Sequence, residues 1–480
     1  MKALLRLLLS SLLLLCSSIL SPAADEWLSL FNGENLQGWR AGEDPSSFKV
    51  VDGQIACDGP RAHLFYQGPD GKADFKNFEL SVDVLATKGA NSGVFFHTEF
   101  QNEGFPKKGF EAQVMNSRSG EGGYLENKQT GSLYGIRNVY KSMARDGEWF
   151  TMTVLVRGKQ VQIRVNGTLL VDYLEPATPP ESGGRSRRID HGTFALQCHD
   201  PASKVFYRNL KVRRLPDSMP EFAEPATPFS PYDKEVIRLG AANIPTVNYH
   251  VHLKGGLTLE QALGISRRTG IFYGIAVNCG LNFSVTNDAG IYQYLNSMAG
   301  QPVFVAMQAE GREWVNMFSR DAIAKFDYVF TDAMTIVDNQ GRRMRLWINE
   351  EVPPIEDKEA FMDMLVDRTV KILSTEPIDV HVNPTFLPAQ IAGDYDKLWT
   401  EARMKKVVDA AAKNQRAIEI NARLRLPRLA FLKLAKEAGC KFTFGTNNTD
   451  ADIGQLDYCF EMVKELQLDW KDIWMPRAKN

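Results

Sequence analysis

At 480 residues the chain exceeds one ordinary core, and two domains are the default. Its 56 lysines and arginines nearly balance 58 aspartates and glutamates, with no basic stripe, which argues against a nucleic-acid partner. The six cysteines are scattered, with no C-x-x-C pair, and this excludes a disulfide framework; beyond Cys16 they read as structural free thiols, with a Cys57–Cys198 bridge as the one alternative.

The first residues, MKALLRLLLSSLLLLCSSILSPAADEW, place Lys2 and Arg6 before an apolar run that ends in small residues. That is the pattern of a secretory signal over residues 1–24, too short and wrongly flanked for a spanning helix. Leu15 before Cys16 is not the small residue of a lipid-attachment site. The expectation is an exported protein, periplasmic or secreted, with no membrane segment after signal removal.

Residues 25–215 carry a β rhythm. FELSVDVLA puts Phe78, Leu80, Val82 and Val84 on one face, with Ser81 and Asp83 on the other. VQIRVNGTLLVDY alternates up to Asn166-Gly167, a strong hairpin signal. Further strand-like runs are SGVFFHTEF, GFEAQVMNS, TMTVLVRG, TFALQCH and KVFYRNLKV. Many short strands with glycine-rich turns predict an all-β sandwich of jelly-roll type. Residues 216–238, dense in proline, read as an extended linker.

From residue 239 to 480 strands and helices alternate. TLEQALGISRRTG is a helix with Thr258 and Gln261 as capping box and Gly270 as stop. Four more helical patterns follow, and seven β-rich runs lie between them: TVNYHVH, GIAVNC, PVFVAM, YVFTD, IDVHVN, AIEIN and KFTFGT. The fold predicted is a TIM-like parallel α/β barrel with seven strands instead of eight.

In such barrels chemistry sits at the carboxyl ends of strands. Those ends carry His250, His252, Asn278, Glu310, Asp332, His381, Glu419 and Asn421. Three imidazoles with carboxylates suit Zn, Mn or Fe, and such a metal could activate water. NYHVHLKGG, EINARLRLP and KFTFGTNNTD resemble the polymerase and histidinol phosphatase (PHP) superfamily of metal-dependent phosphoesterases, over roughly residues 240–475. The resemblance implies His250, His252, Glu310 and His381 as metal ligands. It departs where that family has a T-D-H turn, here VNCG, and where it closes with G-S-D-A-H, here GTNNTD. The implied site is therefore incomplete.

In the sandwich, Glu111 and Gln113 share a strand face, as do Gln197 and His199, and His97 and Glu99. Polar groups at such positions, with Trp39, Tyr124 and Tyr134 as aromatic candidates, suit a sugar-binding face; a sheet face that is merely wet is the plainer explanation. The segments LFNGENLQGW, NFELSVDVLATKGANSGVFFH, GFEAQVMN, TGSLYGI, EWFTMTVLVRGKQVQIRVNG and ALQCHDPASKVFYRNLKVRRL are similar, in this order, to the 3-keto-disaccharide hydrolase family, which has a concanavalin/laminin-G-like sandwich. That resemblance implies cleavage of glycosides oxidised to a ketone at C3, with Glu111 as base or metal ligand and His199 as acid or ligand. Asn91 and Gln113 would be polar binders, and Tyr134 and Gln197 complete the substrate-binding set. A divalent metal is an option there too, and no nucleotide cofactor is expected.

Three functions follow. In one, the sandwich hydrolyses 3-keto-glycosides. In another, the barrel is a metal-dependent phosphoesterase and the sandwich delivers it to carbohydrate. In the third, a sugar-binding module is fused to a degenerate, non-catalytic barrel.

Overall fold

The computed structural model of the chain describes residues 26–120, 122–179, 186–217, 229–337 and 341–477. The expected signal and residues 218–228 of the expected linker lie outside these residues. Among the described residues no helix is long and apolar enough to cross a membrane.

The first half is a two-sheet antiparallel sandwich. Among the described residues one sheet has eight strands and the other five, the latter ordered Trp39–Glu43, Ala62–Tyr66, Thr193–Cys198, Ser92–Thr98, Phe110–Val114. Strand Phe78–Ala86 alternates buried and half-buried residues along its whole length, as its sequence predicts. The hairpin joining Gln160–Val165 to Thr168–Leu174 turns at Asn166-Gly167, both at positive φ (49° and 80°). Leu64, Val94, Phe96, Phe110, Ala112 and Leu196 fill the core between the sheets. Their neighbours Glu111, Gln113 and Gln197 therefore point to the other face of the five-stranded sheet.

The second half is a closed parallel barrel of seven strands: Val247–Val251, Phe272–Gly280, Phe304–Glu310, Tyr328–Thr331, Val380–His381, Ala417–Asn421 and Phe442–Gly445. All seven predicted runs are barrel strands. Helix Leu259–Thr269 starts on the Thr258/Gln261 capping box and stops at Gly270 with φ 79°.

One expectation needs correction. Pro231 does not belong to an extended linker but opens helix Pro231–Ala241, which Ser230 caps. Proline at the first helical turn forfeits no hydrogen bond, because that N–H has no partner in any helix.

The two halves are packed together. Residues 137–141, in the segment that joins strands Phe110–Val114 and Trp149–Arg157, lie against the amino-terminal end of the barrel. Lys141 Nζ reaches Asp327 Oδ2 at 2.7 Å, Arg137 Nε donates to Arg268 O at 2.9 Å, and Tyr140 packs edge-on to Phe272. Tyr249, Phe304 and Tyr328 at the base of the barrel belong to the same continuous apolar cluster as the sandwich core. About 25 cal/mol per Å² of buried apolar surface favours this union.

Candidate active site

The outer face of the five-stranded sheet is partly apolar (Phe65, Phe95, Ala195) and partly polar. Over its polar part lies a cavity of about 360 Å³. Asn91, Glu111, Gln113, Tyr134, Gln197 and His199 all line it, so the structure brings together the six residues expected to bind or act on a ligand there. Tyr124, Glu126, Phe105 and Asp200 also line it. Trp39 does not: its Nε1 donates to Leu30 O and its ring packs on Tyr66. Nor does His97, which takes a positive φ (53°) that breaks the strand alternation, and is buried with Nε2 on Lys76 O at 2.8 Å.

His199 Nδ1 lies 2.7 Å from Asp200 Oδ2. Asp200 also accepts from Ser203 Oγ at 2.9 Å and from the Ala202 N–H at 2.8 Å. Burial would raise its pKa, but these donors, His199 foremost, hold its carboxyl below the usual range. With Nδ1–H committed to a carboxylate, Nε2 of His199 is the ring atom left to exchange a proton with a ligand.

Glu111 sits where strand Ser92–Thr98 pairs with Phe110–Val114, and Gly93 leaves room for its carboxylate: a Cβ at Gly93 would come within 2.5 Å of Glu111 Oε1. Gln113 Nε2 donates to Asn91 Oδ1 at 2.9 Å, which leaves Asn91 Nδ2 as a donor for a ligand. Gln197 Nε2 lies 3.4 Å from His63 Nε2. Burial pushes His63 down to about 4, so its neutral ring accepts that bond. Gln113 Oε1 and Gln197 Oε1 are then buried acceptors without a protein partner, a set suited to ligand hydroxyls.

The opposite wall comes from segment 115–148. Glu126 Oε2 accepts from both Tyr124 and Tyr134 hydroxyls, each at 2.8 Å, and Glu126 Oε1 is 2.7 Å from Lys128 Nζ. The ion pair is buried, with side-chain exposures of 3% and 1%. Asp200, Glu126 and Phe105 escaped the sequence reading. The acid directly after His199 was a usable signal; Glu126 sits in a loop without periodicity and gave none.

In the barrel, His250, His252 and Glu310 lie at the carboxyl end of the interior; His250 has both ring nitrogens engaged, whereas His252 Nε2 and Glu310 Oε2 are buried without a protein partner. His250 Nδ1 is 2.7 Å from Glu419 Oε1, and its Nε2 is 3.3 Å from Gln308 Oε1. His252 Nδ1 contacts Ala276 O at 3.1 Å. Glu310 Oε1 accepts from Asn278 at 2.8 Å, and burial, then the neighbouring Asp332, push its carboxyl up to about 8. His381 is not with them. Val380 and Val382 face the barrel interior with Phe330, and His381 between them points outward among Leu365, Thr369 and Val407 of the helix layer. The proposed quartet is thus not assembled. Among the described residues no group of three or more His, Cys, Asp or Glu side chains is arranged to hold a metal ion, in barrel or sandwich. The residues present do not fit the implied metal. All five described cysteines are free and buried, Cys57 and Cys198 among them.

Comparison with known proteins adds the following. A 3-keto-disaccharide hydrolase from Bacteroides thetaiotaomicron is 30% identical over 172 residues, 31% of this chain. The chain spans 59% of the length of that relative. Among solved structures, histidinol phosphate phosphatase from Lactococcus lactis, in complex with zinc, L-histidinol and phosphate, shares 15% identity at a TM-score of 0.35, covering 48% of this chain and all (100%) of its own. A carbohydrate-binding module from Bacillus subtilis shares 14% at a TM-score of 0.25, covering 37% of this chain and 97% of its own. Residues 26–213, the sandwich that carries the cavity, match the family model of the 3-keto-alpha-glucoside-1,2-lyase-like domain.

Proposed function

We propose that the sandwich cavity is the active site of a carbohydrate-active hydrolase that cleaves 3-keto-glycosides, and that the leading sequence exports it. The observation that carries this reading is the convergence of Glu111, His199, Asn91, Gln113, Tyr134 and Gln197 on one cavity within the matched domain.

The chemistry suits these groups. A ketone at C3 acidifies the C2 proton. Glu111 removes that proton, and the electron pair delocalises onto the C3 oxygen, to which Asn91 Nδ2 can donate a hydrogen bond. The enolate then re-forms the ketone as a C1–C2 double bond develops and the glycosidic C1–O bond breaks. The departing oxygen takes a proton from Nε2 of protonated His199, whose ring Asp200 holds in place. Water adds across C1=C2, hydroxyl to C1 and proton to C2, so the net change is hydrolysis. No step is routed through a metal, because among the described residues no group of three or more His, Cys, Asp or Glu side chains is arranged to hold one.

The test uses the full-length protein and α-linked 3-keto-glucose disaccharides, following release of the second sugar. Turnover that falls at least ~100-fold in Glu111→Gln and in His199→Asn supports the reading. Wild-type protein that gives no turnover, with or without added divalent metals, removes it.

A further inference from the structure

The cavity wall opposite His199 is held from outside the matched domain. The geometry points to Asn243, at the carboxyl end of helix Pro231–Ala241, as a positioning residue that sets Tyr124 and Tyr134 as an acceptor-only wall for ligand hydroxyls. This rests on the sandwich cavity being the ligand site proposed above.

The chain of contacts is direct. Asn243 Oδ1 accepts from the Asn127 N–H at 3.0 Å and from Lys128 Nζ at 3.2 Å, while its Nδ2 donates to Leu125 O at 2.7 Å. Asn127 Nδ2 in turn donates to Asn243 O at 3.2 Å. Backbone N–H and ammonium donors on one side and a carbonyl on the other fix which way the amide points. Asn243 has φ 63°, a conformation that asparagine and glycine tolerate and most side chains do not. Four contacts from one residue thus grip Leu125 and Asn127, on either side of Glu126, and the ammonium of Lys128.

Lys128 passes this on. Its ammonium pairs with Glu126 Oε1 and lies 4.6 Å from the centre of the Tyr134 ring. Glu126 stays a carboxylate: burial opposes that, and Lys128 outweighs it. Burial, then this carboxylate, pushes the Tyr124 and Tyr134 hydroxyls upward, so both keep their protons. Since both protons go to Glu126 Oε2, each phenol oxygen has only lone pairs to offer the cavity. Such a wall receives sugar hydroxyls and cannot donate to a ketone. The ketone is thereby directed to the side of Asn91. Trp470, near the carboxyl end of the chain, packs edge-on against Tyr124 at 5.5 Å and braces the same wall.

Asn243→Gly removes the side chain and keeps the backbone conformation accessible. Binding to the wall is shared by ground and transition states, so its loss raises KM about 10-fold with kcat within about twofold. Tyr134→Phe has the same signature, and the double variant is no worse than the more impaired single one, because both act through one phenol. Asn243→Asp keeps the tolerance of positive φ but sets an acceptor-only carboxylate oxygen against Leu125 O, so it shares the raised KM of Asn243→Gly. A lowered kcat with unchanged KM, or fully additive single effects, overturns the inference; so does an Asn243→Gly protein with unchanged KM. Calorimetric binding of trehalose and maltose separates this from the hydrolase reading. If wild type binds either disaccharide without turning over its 3-keto form, the hydrolase reading falls and the same variants are compared by Kd. If it does neither, both fall.

Discussion

His199 Nδ1 and Asp200 Oδ2 stand 2.7 Å apart at the edge of the cavity, on adjacent residues of one chain segment. Adjacent residues of an extended strand point to opposite faces, so the contact exists only because the strand ends at Cys198 and the chain turns. Asp200 closes that turn through the Ala202 N–H and Ser203 Oγ. Asp200→Ala leaves the histidine ring free to rotate and lowers kcat about 100-fold, with KM changed less than about threefold. Steady-state kinetics on a 3-keto-disaccharide decide it; an unchanged kcat means that His199 needs no orienting partner.

His63 and His97 make the sandwich sensitive to acid. Burial pushes both down to about 4, from an ordinary value of 6.5. For each, the unfolded chain binds a proton that the folded chain refuses between those values. Stability is therefore greatest above pH 6.5 and declines as pH falls toward 4, by on the order of 3 kcal/mol per histidine at most. In the neutral ring of His97, Nε2–H goes to Lys76 O and Nδ1 accepts from the Asp190 N–H at 3.3 Å, so protonation also breaks a bond. Urea melts from pH 7.5 to 4.5 should show this slope, flattened in His97→Gln. A slope that His97→Gln and His63→Gln leave unaltered assigns the acid sensitivity elsewhere.

Much of this molecule was legible because burial and periodicity agree. Phe78–Ala86 alternates in sequence and in exposure, and the seven barrel runs are bounded by readable helices. Two of the failures, His381 and Glu126, depend on what lies next to a segment, not on the segment. In Val380-His381-Val382 the sequence is symmetric about the histidine, and only the surrounding barrel decides that the valines face inward. The strand-end rule located His381 along the axis but could not give its side. Glu126 sits in an aperiodic loop whose conformation is fixed by Asn243, more than a hundred positions away. The prolines before Tyr232 hid a helix because Pro231 occupies the one turn where proline is harmless.

Glu310 offers a test of the barrel with the opposite sign. Its carboxyl is pushed up to about 8, by burial first and by Asp332 second, against an unfolded value near 4.5. A raised folded value means stability is fully present below pH 4.5 and is lost as pH rises through 8. Glu310→Gln keeps the shape and cannot ionise. The variant should match wild type near pH 5 and exceed it at pH 9 by on the order of 2 kcal/mol. Equal stability at both pH values would show that Glu310 ionises freely in the folded chain.

Gly93 tests whether Glu111 is placed as tightly as base chemistry requires. Its φ is not in the left-handed region, so alanine suits the backbone there. The conflict is with the side chain across the strand pair: an added Cβ lies 2.5 Å from Glu111 Oε1 and 2.8 Å from its Cγ. Both atoms belong to a flexible side chain, which can rotate away at modest expense. Gly93→Ala should therefore lose about 1 kcal/mol of stability while displacing the carboxylate by an ångström or so. A proton transfer is far less tolerant than folding, and kcat should drop at least ~10-fold. The pairing of small stability loss with large rate loss separates this from a packing defect. If Gly93→Ala keeps full kcat, the Glu111 carboxylate either regains its position or is not the group that takes the C2 proton, and activity of Glu111→Gln in the same assay tells these apart.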